Sequence, residues 1–301
     1  MTLQQLADKR HLTEEAWQKL RRSGIGGSDA AAVLGSSPYR SALAVYYEKV
    51  AGTRQNTTLA MELGKELKPF LRRKCEQWLQ SSEGQQIQVQ EVPFMLQNTA
   101  YPHMFAHLDG RFTHPQLGPC RLLLKTTNEF QRSAWEEEKV PAYCYIQLQH
   151  CMAVTGLQQF YVLCLIGNRL LSAHMVPRQE KVIQNLAQQL KAFWQQHVLP
   201  KVPPAPAGLP CDTSILKTLY PAEEESVVAL HHCQKQYDRY QELKQQEKKL
   251  KQEMEALRQH FMAEMKEART ALVGRQQISW KIVERRGYTV APSATRVLRI
   301  T

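Results

Sequence analysis

No glycine or proline occurs between residues 222 and 273. A wholly helical span of that length would reach roughly 78 Å, longer than the diameter of a small domain. Just before it, KVPPAPAGLP at 201–210 combines prolines that favour extended backbone with a flexible glycine, the composition of a linker. The chain is therefore expected to divide into a domain over 1–200, a Pro-rich linker over 201–221, a long helical or coiled-coil arm over 222–273, and a tail over 274–301. Leu250, Met254, Leu257, Phe261, Met265, Ala268 and Leu272 advance in steps of three and four, the seam of a coiled coil or hairpin arm. KQQEKK at 244–249 interrupts the seam. Nine basic and seven acidic residues lie between 235 and 269. That near balance favours a packing or oligomerisation helix over direct DNA contact. The tail from Arg275 carries six basic residues and one acidic residue, and ISWKIV and TRVLRI within it have the composition of short strands.

The first 200 residues read as a mixed α/β domain. RRSGIGGSDAAAVLGSSPYRS at 21–41 has the glycines of a tight loop, then an alanine-rich helical turn. ALAVYYEKVAG at 42–52 predicts a helix stopping at Gly52. MELGKELKPFLRRKCEQWL at 61–79 has helical apolar spacing, with a kink or boundary at Pro69. Strand patterns follow in IQVQEVPF, MFAHLDG and RLLLKTT. Residues 143–155 return to helix, and QFYVLCLIG with LLSAHMV predicts two strands turning at Gly167–Asn168. EKVIQNLAQQLKAFWQQHV at 180–198 predicts a closing amphipathic helix.

Charge and cysteine usage narrow the partners. The formal charge is +11, which favours a polyanion without choosing among DNA, RNA and an acidic protein. No run approaches the 18 or more apolar residues of a membrane span, and MTLQQLADKR has no apolar core of a secretory signal. The seven cysteines, at 75, 120, 144, 151, 164, 211 and 233, form no CxxC pair, so a reducing intracellular setting is expected.

Metal-assisted phosphodiester hydrolysis needs carboxylates converging on the phosphate and a cation to orient or polarise water. Asp109 follows one expected strand and Lys125 ends the next, so adjacent strands would bring them together. Taken alone, the Asp-Gly ending is more often a turn. The ten histidines contain no HExxH, and His103 and His107 flank a strand rather than sharing a helix face. Cys144 and Cys151 fit helix packing, with no base to activate either.

SGIGGSDAAAVLGSSPYRSALAVYYEK, ELGKELKP, HLDG, LLLKTTN and VPAYCYIQLQHCMAVTG, in that order, resemble the YqaJ-like viral recombinases. These are similar to the phage lambda exonuclease family of the PD-(D/E)xK nuclease superfamily. The resemblance covers about residues 20 to 200. It implies a restriction-endonuclease-like mixed sheet flanked by helices, here followed by the long helical arm. It further implies a magnesium- or manganese-dependent nuclease digesting one strand of duplex DNA from its 5′ end. Homo-oligomers and a single-strand annealing partner go with that activity, as does the cytoplasm of a bacterial host if the chain is phage or prophage encoded.

On the matching positions, Asp109 would bind metal, Lys125 would end the ExK element, and Leu124 would offer its carbonyl to the metal. Gln147, with Tyr143 and Tyr145, would flank the active site. Arg22 and Ser28 would hold the terminal or scissile phosphate; glycine amides beside a hydroxyl suit that task, although Ser28 as a helix N-cap is an equal reading of the residues alone. Two positions depart from the pattern. Lys68 stands where the family has glutamate before proline, and Leu123 stands where it has the glutamate of ExK. Neither supplies the oxygen that magnesium needs. Glu62, Glu66 and Glu129 are the acids near enough in sequence to compensate. The leading expectation is therefore a DNA-end-binding protein with a nuclease fold, an inactive or strongly impaired metal site, and possible loss of the bound ion altogether. An active exonuclease with relocated ligands and a non-catalytic subunit for a recombination partner are the alternatives.

Overall fold

The computed structural model describes residues 2–53, 57–84, 86–136 and 139–284. These fall into two units, the first ending at Leu219 and the second beginning at Tyr220.

In the first unit, strand β1 (Leu3–Asp8) leads to helix α1 (Glu14–Arg22). Thr13 caps that helix, its hydroxyl accepting the Ala16 N–H at 3.2 Å. The glycine loop opens into α2 (Gly27–Val33), and α3 (Ala42–Ala51) ends as expected at Gly52, whose φ is 69°. The helix expected over 61–79 is two helices, α4 (Leu59–Glu66) and α5 (Lys68–Glu83). Pro69 marks the boundary, in the first turn of α5 where its missing N–H leaves no bond unmade.

Two sheets follow. In the first, β1 and β3 (Phe105–His107) flank β2 (Phe94–Asn98), all antiparallel. The second has the order β4 (Gly110–His114), β5 (Gly118–Thr127), β6 (Gln159–Ile166), β7 (Leu170–Pro177). Only β5 and β6 are parallel, and α6 (Ala142–Thr155) makes the crossover such a pair requires. Alternation along the strands splits the core. Leu123 of β5 and Phe160, Val162 and Cys164 of β6 join Cys144, Leu148 and Cys151 of α6 and Ile183, Leu186 and Leu190 of α7 (Glu180–Phe193). Leu122, Leu124, Tyr161 and Leu163 face the other way, onto Leu71, Cys75 and Leu79 of α5. The sheet is thus mixed and covered by helices on both faces. Gly167 and Asn168 turn β6 into β7 with φ of 54° and 62°, the left-handed pair a two-residue hairpin demands.

The strand expected over IQVQEVPF is replaced by irregular chain. Gln90 alone bridges to Arg111, and β2 starts only at Phe94, because Glu76 takes the Val89 N–H at 2.7 Å and Pro93 has none to give. Within the Pro-rich segment, α8 (Pro210–Leu219) returns to the domain, where its buried Asp212 accepts the Ser41 hydroxyl.

The second unit holds α9 (Gln234–Met265) and a hairpin of β8 (Thr270–Val273) and β9 (Gln276–Ser279). The long helix is present but shorter than the Gly/Pro-free span. Lys266 breaks it with φ of 48°, so Ala268 and Leu272 of the expected seam lie beyond the helix. TRVLRI falls outside the described residues. All seven cysteines are free. Among the described residues no helix is long and apolar enough to cross a membrane.

Candidate functional site

Asp109 lies between β3 and β4, with its N–H donating to the Leu122 carbonyl at 3.1 Å. Gly110 is required there, since a Cβ would come within 2.8 Å of Val89. Both carboxylate oxygens are engaged. Oδ2 accepts the Leu124 N–H at 2.9 Å, and Oδ1 is 2.6 Å from Lys68 Nζ. Arg72 donates to the Asp109 carbonyl at 3.1 Å. Lys68 arrives by being the first residue of α5, whose apolar face is fixed on Leu122 and Leu124. The ammonium therefore reaches Asp109 without distorting the sheet.

Leu123 and Lys125 are two apart on β5 and share a face. Leu123 is 1 % exposed and belongs to the larger core. Lys125 donates from Nζ to Gln147 Oε1 of α6 at 2.6 Å. The structure thus brings together Asp109 with Lys68, at the backbone of Leu124, and Lys125 with Gln147, at the next residue of β5. Magnesium demands several oxygens in near-octahedral array. Here one carboxylate is already bonded to an ammonium and an amide, and the adjoining position is hydrocarbon. The residues present do not fit such an ion, and among the described residues no group of three or more His, Cys, Asp or Glu could hold one.

The other expected residues make contacts of their own. Ser28 is exposed on α2, and its neighbour Gly27 packs so closely on α6 that a Cβ would meet Gln147 Cγ at 2.9 Å. Gly26, not Ser28, is the N-cap of α2. The Arg22 guanidinium lies against Gly52. Tyr143 meets Tyr39 edge-on, centroids 5.7 Å apart, and burial followed by Tyr39 pushes its phenol well above the ordinary range. Tyr145 packs half-buried on the larger core. Glu129 lies against Gly167 and 3.6 Å from Arg132. Glu62 and Glu66 are exposed on α4, which passes the end of β5 where a Cβ on Gly64 would meet Thr126 Oγ1 at 3.2 Å. No hydrogen bond or ion pair among the described residues joins either glutamate to Asp109 or Lys125.

Sequence reasoning missed the charged group behind the glycine loop. Asp29 is fully buried, its Oδ1 2.6 Å from Arg40 and its Oδ2 2.7 Å from Lys49. Oδ2 also accepts the Gly26 N–H at 3.1 Å, pinning the loop. Lys49 further donates to the Arg21 carbonyl at 3.0 Å, and Arg40 pairs with Glu48. Burial raises the Asp29 pKa, but Lys49 and Arg40 outweigh it and hold the carboxyl well below the usual range. A signal existed: Lys49 falls four residues after Val45, on the apolar face of a predicted helix, where a cation must be paired.

His150, one turn beyond Gln147 and Ile146 on α6, is buried, and among the described residues neither ring nitrogen has a hydrogen-bond partner of good geometry. Burial lowers its pKa from 6.5 to about 4. The folded value lies below the unfolded one, so the unfolded chain takes up the proton first as pH falls. Stability is full above 6.5 and is expected to erode between 6.5 and 4 by up to a few kcal/mol. Denaturant melts across that window should show the loss, and His150→Phe should flatten it. An equal slope in both proteins would assign the loss to other groups.

Comparison with known proteins finds likeness in sequence and in fold. Residues 16–158 match the YqaJ-like viral recombinase domain. Over 285 residues the chain is 26% identical to the uncharacterized protein YqaJ of Bacillus subtilis (strain 168), covering 92% of this chain and 86% of that one. Among solved structures, the alkaline exonuclease LHK-Exo of Laribacter hongkongensis superposes with a TM-score of 0.50 at 19% identity, covering 70% of this chain and 100% of that one. The latter likeness is one of fold.

Proposed function

We propose, from the match of residues 16–158 to the YqaJ-like viral recombinase domain and the likeness to YqaJ of Bacillus subtilis, that the chain is of that family and grips duplex DNA ends in phage-type recombination through a nuclease fold whose metal site is blocked or strongly impaired. The observation that carries this reading is the 2.6 Å ion pair of Lys68 with Asp109. It places a fixed cation on the carboxylate that a divalent ion would otherwise use. Net charge of +11 supports attraction to phosphate, and LHK-Exo, which shares the fold, is named an exonuclease. In this reading Arg22, Ser28 and Lys125 contact phosphate, Tyr143 and Tyr145 border the bound end, and Gln147 orients Lys125. Residues 1–200 do the gripping, 201–221 connect, with α8 folded back on the domain, and 222–273 with the tail 274–301 serve assembly; the protein works in a bacterial cytoplasm, as a homo-oligomer or beside a single-strand annealing protein.

The active alternative draws on one observation, the approach of Gly64 on α4 to Thr126, which brings the helix carrying Glu62 and Glu66 to the end of β5. Magnesium-dependent cleavage by the unmodified protein that Asp109→Ala abolishes would establish it.

Binding is expected to weaken steeply with salt, as neutralised phosphates release counterions. Arg22→Ala should weaken different sequences about equally and flatten the salt slope by roughly one. Fluorescence anisotropy on blunt, recessed and 5′-phosphorylated duplexes measures both. No binding to any of them at low salt would overturn the DNA-end reading.

A further inference from the structure

The described part of the second unit leaves one long apolar stripe in water. On α9, Tyr240, Leu243, Leu250, Met254, Leu257 and Phe261 alternate at three and four residues, the a and d positions of successive heptads with Glu247 in the remaining place. Leu250 is 60 % exposed, Met254 56 % and Leu257 53 %. A helix of 32 residues, about 48 Å long, offers this stripe enough length for a coiled-coil partner.

The charges beside the stripe say which kind. The e positions that line one side are Lys244, Lys251 and Arg258. On the other side the g positions are Arg239, Gln246, Glu253 and His260. Four cations thus flank the seam against one anion. Over its whole length the helix holds seven Lys and Arg and six Asp and Glu, so the acids are placed away from the flanks. Arg239, Lys251 and Arg258 pair with Glu242, Glu247 and Glu255 on the same helix. Those pairs are exposed to water and salt and are readily exchanged.

Self-association does not suit this pattern. A parallel second copy would set Arg239 against Lys244 and Glu247 against its own twin in the seam, with Glu253 against Arg258 as the one favourable flanking pair. An antiparallel copy would set Lys251 against Arg258. Duplex DNA would satisfy the cations but leave the leucines wet. We propose that the α9 seam docks an amphipathic helix of another protein whose own flanking positions are acidic. Apolar burial would supply the affinity and the e-row cations the choice of partner.

The test uses the full chain and two labelled synthetic peptides of about four heptads, leucine at a and d in both. One carries glutamate at e and g, the other lysine. The acidic peptide should bind at least about tenfold more tightly, a preference that shrinks as salt rises from roughly 0.05 to 0.5 M. Leu250→Glu with Leu257→Glu should remove binding while circular dichroism keeps its helix signal. Reversing Lys244, Lys251 and Arg258 to glutamate should transfer the preference to the lysine peptide, a result that a merely sticky surface would not give. Binding of neither peptide, or of both equally, overturns the proposal. So does a dimer in sedimentation that Leu250→Glu with Leu257→Glu dissolves, or displacement of the peptide by duplex DNA.

Discussion

Lys68→Glu combined with Leu123→Glu is expected to convert a protein with little magnesium-dependent cleavage into a measurable nuclease, with a gain of at least about a hundredfold, or roughly 2.7 kcal/mol of barrier. Lys68→Glu alone frees Asp109 Oδ1 and adds an oxygen donor. Leu123→Glu alone places a carboxylate between Asp109 and Lys125 on the Lys125 face. Neither completes the ligand set, so the double change should exceed the product of the singles. Leu123 is 1 % exposed in the larger core, and a carboxylate there without a partner costs several kcal/mol. The variant should therefore be less stable than its parent, and a divalent ion that binds only the folded form should restore part of the loss. Digestion of 5′-phosphorylated duplex with magnesium or manganese, beside Asp109→Ala and Lys125→Ala controls, measures the first effect. Thermal melts with and without the ion measure the second. A folded, metal-stabilised variant that cuts nothing would move the defect to the phosphate contacts or to assembly.

Lys49→Met is expected to destabilise the fold by about 3 kcal/mol or more. It removes one of two cations from a carboxylate with no exposed surface, leaving Arg40 alone to offset the buried charge. Asp29→Asn in the same chain should recover much of the loss, because the stranded charge goes with it; a double-mutant cycle measures that coupling. The pH dependence has a fixed sign. Asp29 has a folded-state pKa depressed from 3.8, so its contribution is complete above about pH 4 and fades as pH falls toward the folded value. Lys49→Met should lose most of this acid sensitivity. If it melts like the parent at neutral pH, the group behind the loop is not holding the fold.

The core strands and helices were legible because their alternation is strong: RLLLKTT lies within β5, QFYVLCLI is β6, and the Gly167–Asn168 turn sits where its residue types require. β1 was not announced, since LQQLAD buries little and is held by pairing with β2. Residues 87–93 alternate like a strand but give their backbone bonds to Glu76 and Arg111, a tertiary competition no local pattern reveals. The resemblance singles out Asp109, Lys125 and Gln147 and the two departures, and the structure joins Lys125 to Gln147 and Asp109 to Lys68. What the pattern did not contain is that Lys68 closes directly on Asp109 and that Leu123 is full core. Both follow from how α5 and α6 sandwich β5, which one-dimensional spacing does not express. Asp29 escaped for the same reason, being identified as a site residue only by the two cations folded onto it.

The most direct test is manganese titration of the unmodified protein followed by electron paramagnetic resonance, with the Lys68→Glu, Leu123→Glu variant alongside. If Lys68 occupies the place of the ion, the free-ion signal of the unmodified protein should fall no faster than that of its Asp109→Ala control, while the variant should remove manganese through Asp109. A saturable site in the unmodified protein that Asp109→Ala abolishes would contradict the account.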